Sequence, residues 1–321
     1  MHKYIIFALK ASRKIYTKYI GKPKKEKPIC IQDPDEASKL IYEALVSDQP
    51  SMIARFGSTE LSCLSNYVGV HSQKNEYFSY IKGETNPWWW EENIINQMQQ
   101  WSGFFPAKME KIEQFCELMI HDIPEVDILG SWLPDERLFD KELRNANKVW
   151  LLNLEPFWAS NSWTKALEGK KVLVVHPFAQ TIESQYKKRR LIFPNNLLPK
   201  FELTTLKAVQ SIADEKTEYV DWFEALDYMK SEIDKRDYDI CLLGCGAYGF
   251  PLAAHIKRSG KKSFHIGGSL QLLFGIRGKR WETGLYKTVY NYDKLINEYW
   301  VRPDESEKPK GSNKVEESCY W

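Results

Sequence analysis

Residues 238–281 read YDICLLGCGAYGFPLAAHIKRSGKKSFHIGGSLQLLFGIRGKRW and contain the pattern that decides the fold. An apolar run at 240–243 leads into a glycine-rich turn at 244–249, and a helical stretch follows that ends at Gly260. A second apolar run at 263–266 ends in Gly267-Gly268. This succession predicts a β-turn-α-turn-β unit, whose turns present backbone N–H groups at the carboxyl ends of parallel strands. Phosphorylated ligands bind at such positions in α/β proteins.

Three cations follow this unit at a flexible turn, where Arg277, Lys279 and Arg280 lie next to Trp281. Cationic side chains beside glycine turns favour an anionic ligand, and a nucleoside diphosphate is the first ligand that this arrangement indicates. The residues of this stretch that we expect to bind the diphosphate are Gly244, Gly246, Tyr248, Gly249, Gly267, Gly268, Arg277, Lys279 and Arg280.

The turn at 244–249 also matches the G-x-G-x-x-G pattern of dinucleotide-binding proteins. Such a site expects a carboxylate about 20 positions further on, which holds the ribose hydroxyls. Residues 265–268 occupy that position here and include no acidic residue. No NAD is therefore expected as a cofactor. An NAD-dependent sugar-modifying oxidoreductase is kept as an alternative enzyme class, and a glycine turn without a ligand as a structural alternative.

Length and composition fit an α/β protein with a large core. The chain has 321 residues, of which 43% are hydrophobic and 27% charged, and its net charge is +2. A net charge this small gives no basis for nucleic-acid binding, so no nucleic-acid partner is expected. The six cysteines form no C-x-x-C pair and no zinc-binding spacing. This usage fits a reducing, cytoplasmic compartment.

The distribution of charged and apolar residues along the sequence predicts three parts of the chain. In residues 1–27, lysine and arginine alternate with apolar residues, and the apolar run at 4–9 is too short to span a bilayer. This segment predicts a basic amphipathic helix and linker, which either packs on the body or lies on an anionic membrane surface. In the second case the protein is peripheral on the inner face of the cell membrane. A single large α/β domain is expected over 28–303, with a C-terminal tail, 304–321, that docks on it.

The run at 51–56 predicts a buried strand that ends in a strand-to-helix turn. Arg55 precedes this turn and Glu60 lies in it, as expected of the first active-site loop of an α/β sheet. The structural alternative is a helix start in which Ser58 or Thr59 is the N-cap and Glu60 complements the helix dipole.

Three more candidate residues follow predicted strands. Asp135 comes after the strand at 126–129, and His176 and Glu183 come after the strand at 171–175. Histidine suits a general base because its unperturbed pKa lies near neutrality. A histidine that closes a strand is also a common hydrogen-bonded structural residue.

Several segments of this chain resemble a family of bacterial polysaccharide-locus proteins, over most of residues 30–321. That family is similar to the GT-D-type glycosyltransferases. The resemblance implies a Rossmann-like, mostly parallel sheet with helices on both faces. The segments that carry it are RFGSTEL (55–61), ILGSWL (128–133), VVHPFAQTIESQY (174–186), LLGCGAYGFPLAAHIK (242–257), LQLLFGIRGKRW (270–281) and NEYWVRP (297–303).

The resemblance implies a hexosyltransferase-like enzyme of surface-polysaccharide or capsule assembly. Such an enzyme moves a sugar from a nucleotide-sugar donor, with UDP as the expected nucleotide, to a lipid-linked or oligosaccharide acceptor. A non-catalytic nucleotide-sugar-binding or scaffold protein is a further alternative.

GT-D enzymes carry an Asp-x-Glu motif after the first strand, associated with a metal and the donor diphosphate. Here Ser58 replaces the Asp and Glu60 matches the Glu. The resemblance therefore assigns Arg55, Gly57 and Ser58 to donor binding, and Glu60 to any Mn²⁺ or Mg²⁺. A lone carboxylate is a poor ligand set for either ion.

The chemistry of glycosyl transfer also needs a base for the acceptor hydroxyl. Candidate bases, in order of preference, are Glu60, His176, Glu183 and Asp135. Trp88 to Trp90 and Trp132 are candidate platforms for sugar rings, since aromatic faces stack on sugars.

Overall fold

The computed structural model describes residues 3–72, 76–212, 215, 217–309 and 320–321, with the side chains of 285 and 286 left out. The described residues contain one seven-stranded sheet. Its strands are β1 (Ser51–Arg55), β2 (Ile128–Ser131), β3 (Asn147–Trp150), β4 (Lys171–His176), β5 (Glu202–Lys207), β6 (Ile240–Leu243) and β7 (Lys262–His265).

All strand pairs are parallel, in the spatial order β3-β2-β1-β7-β6-β4-β5. The predicted Rossmann-like α/β fold is confirmed. The helices are α1 (Lys3–Tyr19), α2 (Pro34–Val46), α3 (Ser58–Val70), α4 (Tyr77–Lys82), α5 (Glu92–Ser102), α6 (Met109–Asp122), α7 (Ala179–Tyr186), α8 (Arg189–Ile192), α9 (Trp222–Asp234), α10 (Gly249–Arg258), α11 (Leu270–Leu273) and α12 (Gly284–Thr288).

Helices cover both faces of the sheet and bury a core on each. On one face α3, α5, α6, α9 and α10 pack around Phe115 and Trp222. On the other face α2, α7 and α11 pack around Trp163 and Phe264. Because β6 is buried on both sides, it appears in the sequence as a short continuous apolar run rather than an alternating one.

The position of β1 next to β7 creates a crevice at the carboxyl ends of these strands. The chain leaves β1 through α3 toward one face, and it leaves β7 through α11 toward the other. Loops that diverge from neighbouring parallel strands leave a gap between them, and α/β proteins bind ligands in such gaps.

The N-terminal helix α1 packs on α4 and on the segment that precedes α5. Its Leu9 is buried against Tyr80 and Trp89, and Trp88 packs at the edge of the same cluster. Both rings contribute to the packing of α1 on the body, and their candidate role as sugar platforms stays a prediction. None of the helices in the described ranges combines the length and the apolar character that crossing a membrane requires.

The described part of the C-terminal segment lies against the second face of the sheet. The buried carboxylate of Glu307 accepts hydrogen bonds from the backbone N–H groups of Gln180 and Thr181, at 2.8 and 3.2 Å. It thereby satisfies N–H groups in the first turn of α7 that have no partner within the helix. Tyr320 and Trp321 pack on the same side.

Candidate functional site

A cavity of about 410 Å³ opens where β1, β7, β6 and β4 end. Ligand pockets of proteins typically measure about 300–1,000 Å³, so its size suits an extended small molecule. The described lining includes two guanidinium groups, of Arg55 and Arg280, and one carboxylate, of Glu60. Among the described side chains of the lining, cations thus outnumber carboxylates, which favours an anionic ligand.

Arg55 enters the cavity from the end of β1 and lies against the turn after β7. Gly267 adopts a φ of +77°, and a side chain there would approach Arg55 Cδ to 3.4 Å. The Arg55 guanidinium carbon is 5.7 Å from the centre of the Trp132 ring, within the range of a cation–π contact. Glycine at 267 thus allows the turn and leaves room for the arginine.

Trp132 is held by a buried carboxylate directly after β2. The Glu136 carboxylate accepts hydrogen bonds from the N–H groups of Trp132 and Leu133, both at 2.9 Å, and from the Ser131 hydroxyl. Burial raises the pKa of Glu136 above its usual value, and these hydrogen bonds oppose that shift. The indole N–H of Trp132 donates to the Phe56 carbonyl at 3.2 Å, which fixes the ring beside Arg55.

Glu60 lies in the first turn of α3, at the end of β1. A Cβ added at Gly57 would come within 1.7 Å of Glu60 Oε2, so the carboxylate folds back over Gly57. The N-cap of α3 is Gly57, which has no side chain to cap the helix, and Ser58 is its first residue. The N-cap assignment to Ser58 or Thr59 is therefore wrong, and both side chains line the cavity with Glu60.

Around Glu60 the described residues supply few ligands for a divalent metal ion. Among the described residues, no group of three or more histidine, cysteine, aspartate or glutamate side chains could hold one. Ser58, at the position where the resemblance expects a second carboxylate, offers only a hydroxyl. Mg²⁺ and Mn²⁺ bind preferentially to several oxygen ligands, so no step of the chemistry below is routed through a metal.

His176 closes β4 and is buried beside the turn after β6. Its Nδ1 accepts a hydrogen bond from the Phe178 N–H at 3.0 Å, which leaves the proton of the neutral ring on Nε2. Burial lowers its pKa to about 3. The near-neutral pKa expected for His176 is therefore not found, since burial disfavours the imidazolium. In this environment His176 is a neutral hydrogen-bond donor.

His265 closes β7 and is a second buried histidine in the lining. Burial lowers its pKa to about 3, and the positive charge of Arg55 adds to that effect. A Cβ at Gly249 would come within 2.1 Å of its Nδ1, so the first turn of α10 packs directly on the ring. Gly249 thus has a packing role and is not among the lining residues.

The turn after β6 brings backbone close to the cavity. A side chain at Gly244 would lie 2.6 Å from His176 Cδ2 and 3.0 Å from the Gly267 carbonyl, and Gly246 has a φ of +58°. Tyr248 follows in this turn, stacked on Trp222 with ring centres 4.9 Å apart. The glycines line the cavity with their backbone, and Tyr248 contributes a largely buried ring.

Arg280 enters the cavity from the opposite side and contacts the C-terminal residues. It donates to the Tyr320 hydroxyl at 2.9 Å, and its guanidinium carbon lies 4.6 Å from the Tyr320 ring centre. The Tyr320 ring covers Gly268, where an added Cβ would meet it at 2.3 Å. Gln271 donates to the Tyr320 carbonyl at 3.1 Å and fixes the backbone of this residue.

Besides Gly249, four predicted site residues lie outside the cavity lining. Arg277 forms a two-pronged ion pair with Glu282, at 2.9 and 3.2 Å, and Lys279 is exposed. Glu183 accepts from Thr205 on the outer side of α7, at 2.5 Å. The last of the four is Asp135, which pairs with Lys25 at 2.6 Å.

The sequence reasoning missed His265, Glu136, Gln271 and the pair Tyr320–Trp321 as parts of this site. His265 had a detectable signal, because it closes a predicted strand just as His176 does. Tyr320 lies 40 positions from Arg280, and nothing local in the sequence pairs the two residues.

No protein-family model matches the chain, and no curated protein or solved structure matches it. Its function is therefore argued from the geometry and chemistry of the site, because an α/β sheet of this kind serves many unrelated functions.

Proposed function

We propose that the cavity binds a nucleoside-diphosphate sugar and that the protein transfers the sugar to a hydroxyl group of a glycan acceptor. The observation that carries this proposal is the convergence of Arg55 and Arg280 on glycine turns at the carboxyl ends of β7 and β6. Guanidinium groups bind phosphate oxygens with paired hydrogen bonds, and bare backbone N–H groups supplement them.

The two arginines suit the charge that develops during transfer. The bond between the anomeric carbon and the diphosphate oxygen breaks, and the leaving nucleoside diphosphate takes the electron pair. The acceptor oxygen forms the new bond to the anomeric carbon and loses its proton. Positive groups fixed beside the leaving diphosphate stabilise this charge without reorganisation.

Glu60 is proposed as the base that takes the proton of the acceptor. It supplies the one side-chain carboxylate among the described residues of the lining, where it lies in the first turn of α3. A carboxylate within hydrogen-bond reach of the acceptor hydroxyl can take its proton. Buried His176 is assigned a different role, in which its Nε2–H donates to an oxygen of the ligand.

Aromatic side chains at the cavity fit the sugar part of the donor or acceptor. Trp132 on one side and Trp321 with Phe178 on the other present ring surfaces in the lining. The resemblance noted in the sequence supports a UDP-sugar as donor and surface-polysaccharide assembly as the process. These assignments belong to the proposal.

The proposal is tested by a binding screen against UDP, GDP, CDP, their common sugar conjugates and NAD, read as a shift in melting temperature. At a ligand concentration about 100 times Kd, binding stabilises a folded protein by about 2.7 kcal/mol. We expect stabilisation by a nucleoside diphosphate and its sugar conjugate. Stabilisation by NAD alone would contradict the proposal and favour the oxidoreductase, and no stabilisation by any ligand would also contradict it.

Binding alone does not distinguish an enzyme from a nucleotide-sugar-binding scaffold. The stabilising sugar conjugate should therefore be incubated with a glycolipid extract, and release of the nucleoside diphosphate followed. Release above the rate without protein is the expected result. Tight binding without release would favour the scaffold.

A further inference from the structure

Helix α1 has two apolar faces, and the body of the protein covers one of them. The covered face carries Leu9, which packs on Tyr80 and Trp89. Polar contacts hold the same face, since the Arg13 guanidinium carbon lies 4.6 Å from the Tyr80 ring centre and Lys10 pairs with Glu91 at 2.5 Å. The helix is thus fixed on the protein in one orientation.

The second face is exposed although it is apolar. Large side chains recur on it at helical spacing, and their exposed fractions lie between 59% and 88%. Successive residues of an α-helix are about 100° apart. The large exposed side chains, together with Ala8 and Ala11, therefore form a stripe roughly opposite Leu9. We call it the exposed stripe; its large members are Tyr4, Phe7, Ile15 and Tyr19.

Cations flank the exposed stripe, and α1 contains no carboxylate to neutralise them. The helix sequence KYIIFALKASRKIYTKY includes five cations and no aspartate or glutamate. Lys3, Lys14 and Lys18 fall within an arc of about 60° at one edge of the stripe. Further lysines follow at 22, 24, 25 and 27.

We propose that the exposed stripe and its lysine flank bind the surface of an anionic phospholipid bilayer, with α1 lying in the plane of the membrane. An apolar stripe flanked by lysines matches the boundary between acyl chains and anionic headgroups. Association of two copies through the same face would bring two carboxylate-free cationic helices together, which like-charge repulsion opposes.

The position of α1 relates this surface to the cavity. Lys10 of α1 pairs with Glu91, directly before α5, and Trp101 near the other end of α5 lines the cavity. The eleven residues of α5 span about 16 Å. If the proposed transfer reaction holds, an acceptor anchored in the same bilayer lies within reach. The membrane proposal itself does not depend on that reaction.

The test is co-sedimentation of the full chain with vesicles of phosphatidylcholine, with and without phosphatidylglycerol. We expect binding to the anionic vesicles only, and weaker binding as salt rises. Two double variants, Phe7→Ser/Ile15→Ser and Lys14→Gln/Lys18→Gln, should each reduce binding about tenfold or more. The first removes apolar area that the membrane would bury, and the second removes charge attraction to the anionic lipids. The control Val220→Ser/Val289→Ser removes exposed apolar side chains elsewhere and should bind as the wild type does.

Helical content measured by circular dichroism checks that the variants remain folded, which is expected because they alter exposed positions. Equal binding to neutral and anionic vesicles would overturn the proposal, as would wild-type binding by both α1 variants. It would also be overturned if the chain ignored vesicles and formed a dimer that Phe7→Ser/Ile15→Ser dissociates. Loss of nucleotide binding would not affect any of these results.

Discussion

Arg280 and Arg277 lie three residues apart, yet the structure gives them opposite environments. Arg280 lines the cavity and contacts an aromatic ring and a hydroxyl, both of Tyr320. Arg277 is neutralised by Glu282, which also pairs with Arg302 at 2.6 Å. We call Arg277, Glu282 and Arg302 the outer cluster.

The comparison shows that the number of cations in a sequence segment does not indicate how many can bind an anion. In the outer cluster the Glu282 carboxylate contacts both guanidinium groups, so a phosphate would have to compete with existing ion pairs. In the cavity, the described contacts of Arg280 are with the hydroxyl and the ring of Tyr320, which carry no charge. The two arginines thus differ in the charge of their described partners.

The largest effect on the transfer rate is expected when a carboxylate is replaced in the cavity, at Glu60, and the result is compared with the same replacement outside it, at Glu183. Glu60→Gln removes the proposed base and keeps the side-chain size. We expect release of the nucleoside diphosphate to fall by about 10²–10⁴-fold, the usual contribution of a general base, while donor binding is retained. The measurement is the initial rate of release with donor and acceptor extract.

Glu183→Gln is the matched control, because Glu183 contacts Thr205 on the outer side of α7. Its rate should stay close to that of the wild type. If Glu60→Gln retained full activity while Glu183→Gln lost it, the assignment of the site to this cavity would be wrong.

A second prediction concerns the buried histidines of the cavity and the exposed His71. The pKa of His176 is about 3 in the folded protein, whereas an unfolded histidine has a pKa of about 6.5. The unfolded state therefore binds the proton more readily than the folded state. The contribution of the neutral His176 to the free energy of unfolding is complete above pH 6.5 and is lost as pH falls toward 3. The free energy of unfolding should fall by about 1.4 kcal/mol per pH unit for each such histidine.

Urea denaturation between pH 7.5 and 5 measures this slope. His176→Asn keeps an acceptor for the Phe178 N–H and should reduce the slope below pH 6.5 by about 1.4 kcal/mol per pH unit. His71→Asn removes an exposed ring and is the control. An unchanged slope in His176→Asn would show that His176 is protonated as easily in the folded protein as in the unfolded chain.

Much of the sheet could be predicted from the sequence, because buried parallel strands appear as short apolar runs bounded by glycines. The runs at 240–243 and 263–266 correspond to β6 and to β7 shifted by one residue. The run at 201–206 is a weaker signal that favours an edge strand, and β5 does lie there, at the edge of the sheet. Asp33 before Pro34 is a pattern that predicts a helix N-cap, and this prediction is confirmed, since the Asp33 carboxylate accepts from the Glu36 N–H at 2.8 Å.

The site was harder to predict, because its composition depends on contacts between distant segments. A turn after a strand can be recognised locally, so Arg55, Glu60, His176 and the glycines were found. Pairing is a tertiary property, and the sequence alone does not show that Glu282 engages Arg277 or that Tyr320 covers Gly268. Burial of His176, which lowers its pKa, likewise follows only from the packed structure.

We expect the cavity, and not the outer cluster, to bind the diphosphate. Calorimetric titration of UDP into the wild type, Arg280→Gln, Lys279→Gln and Arg277→Gln tests this expectation directly. Loss of a hydrogen bond to a charged group costs about 1.5–3 kcal/mol, so Arg280→Gln should weaken binding about 10- to 100-fold. Lys279→Gln and Arg277→Gln should change the affinity less than about threefold, since surface charges contribute little. Unchanged affinity in Arg280→Gln, with a large loss in Arg277→Gln, would contradict the account.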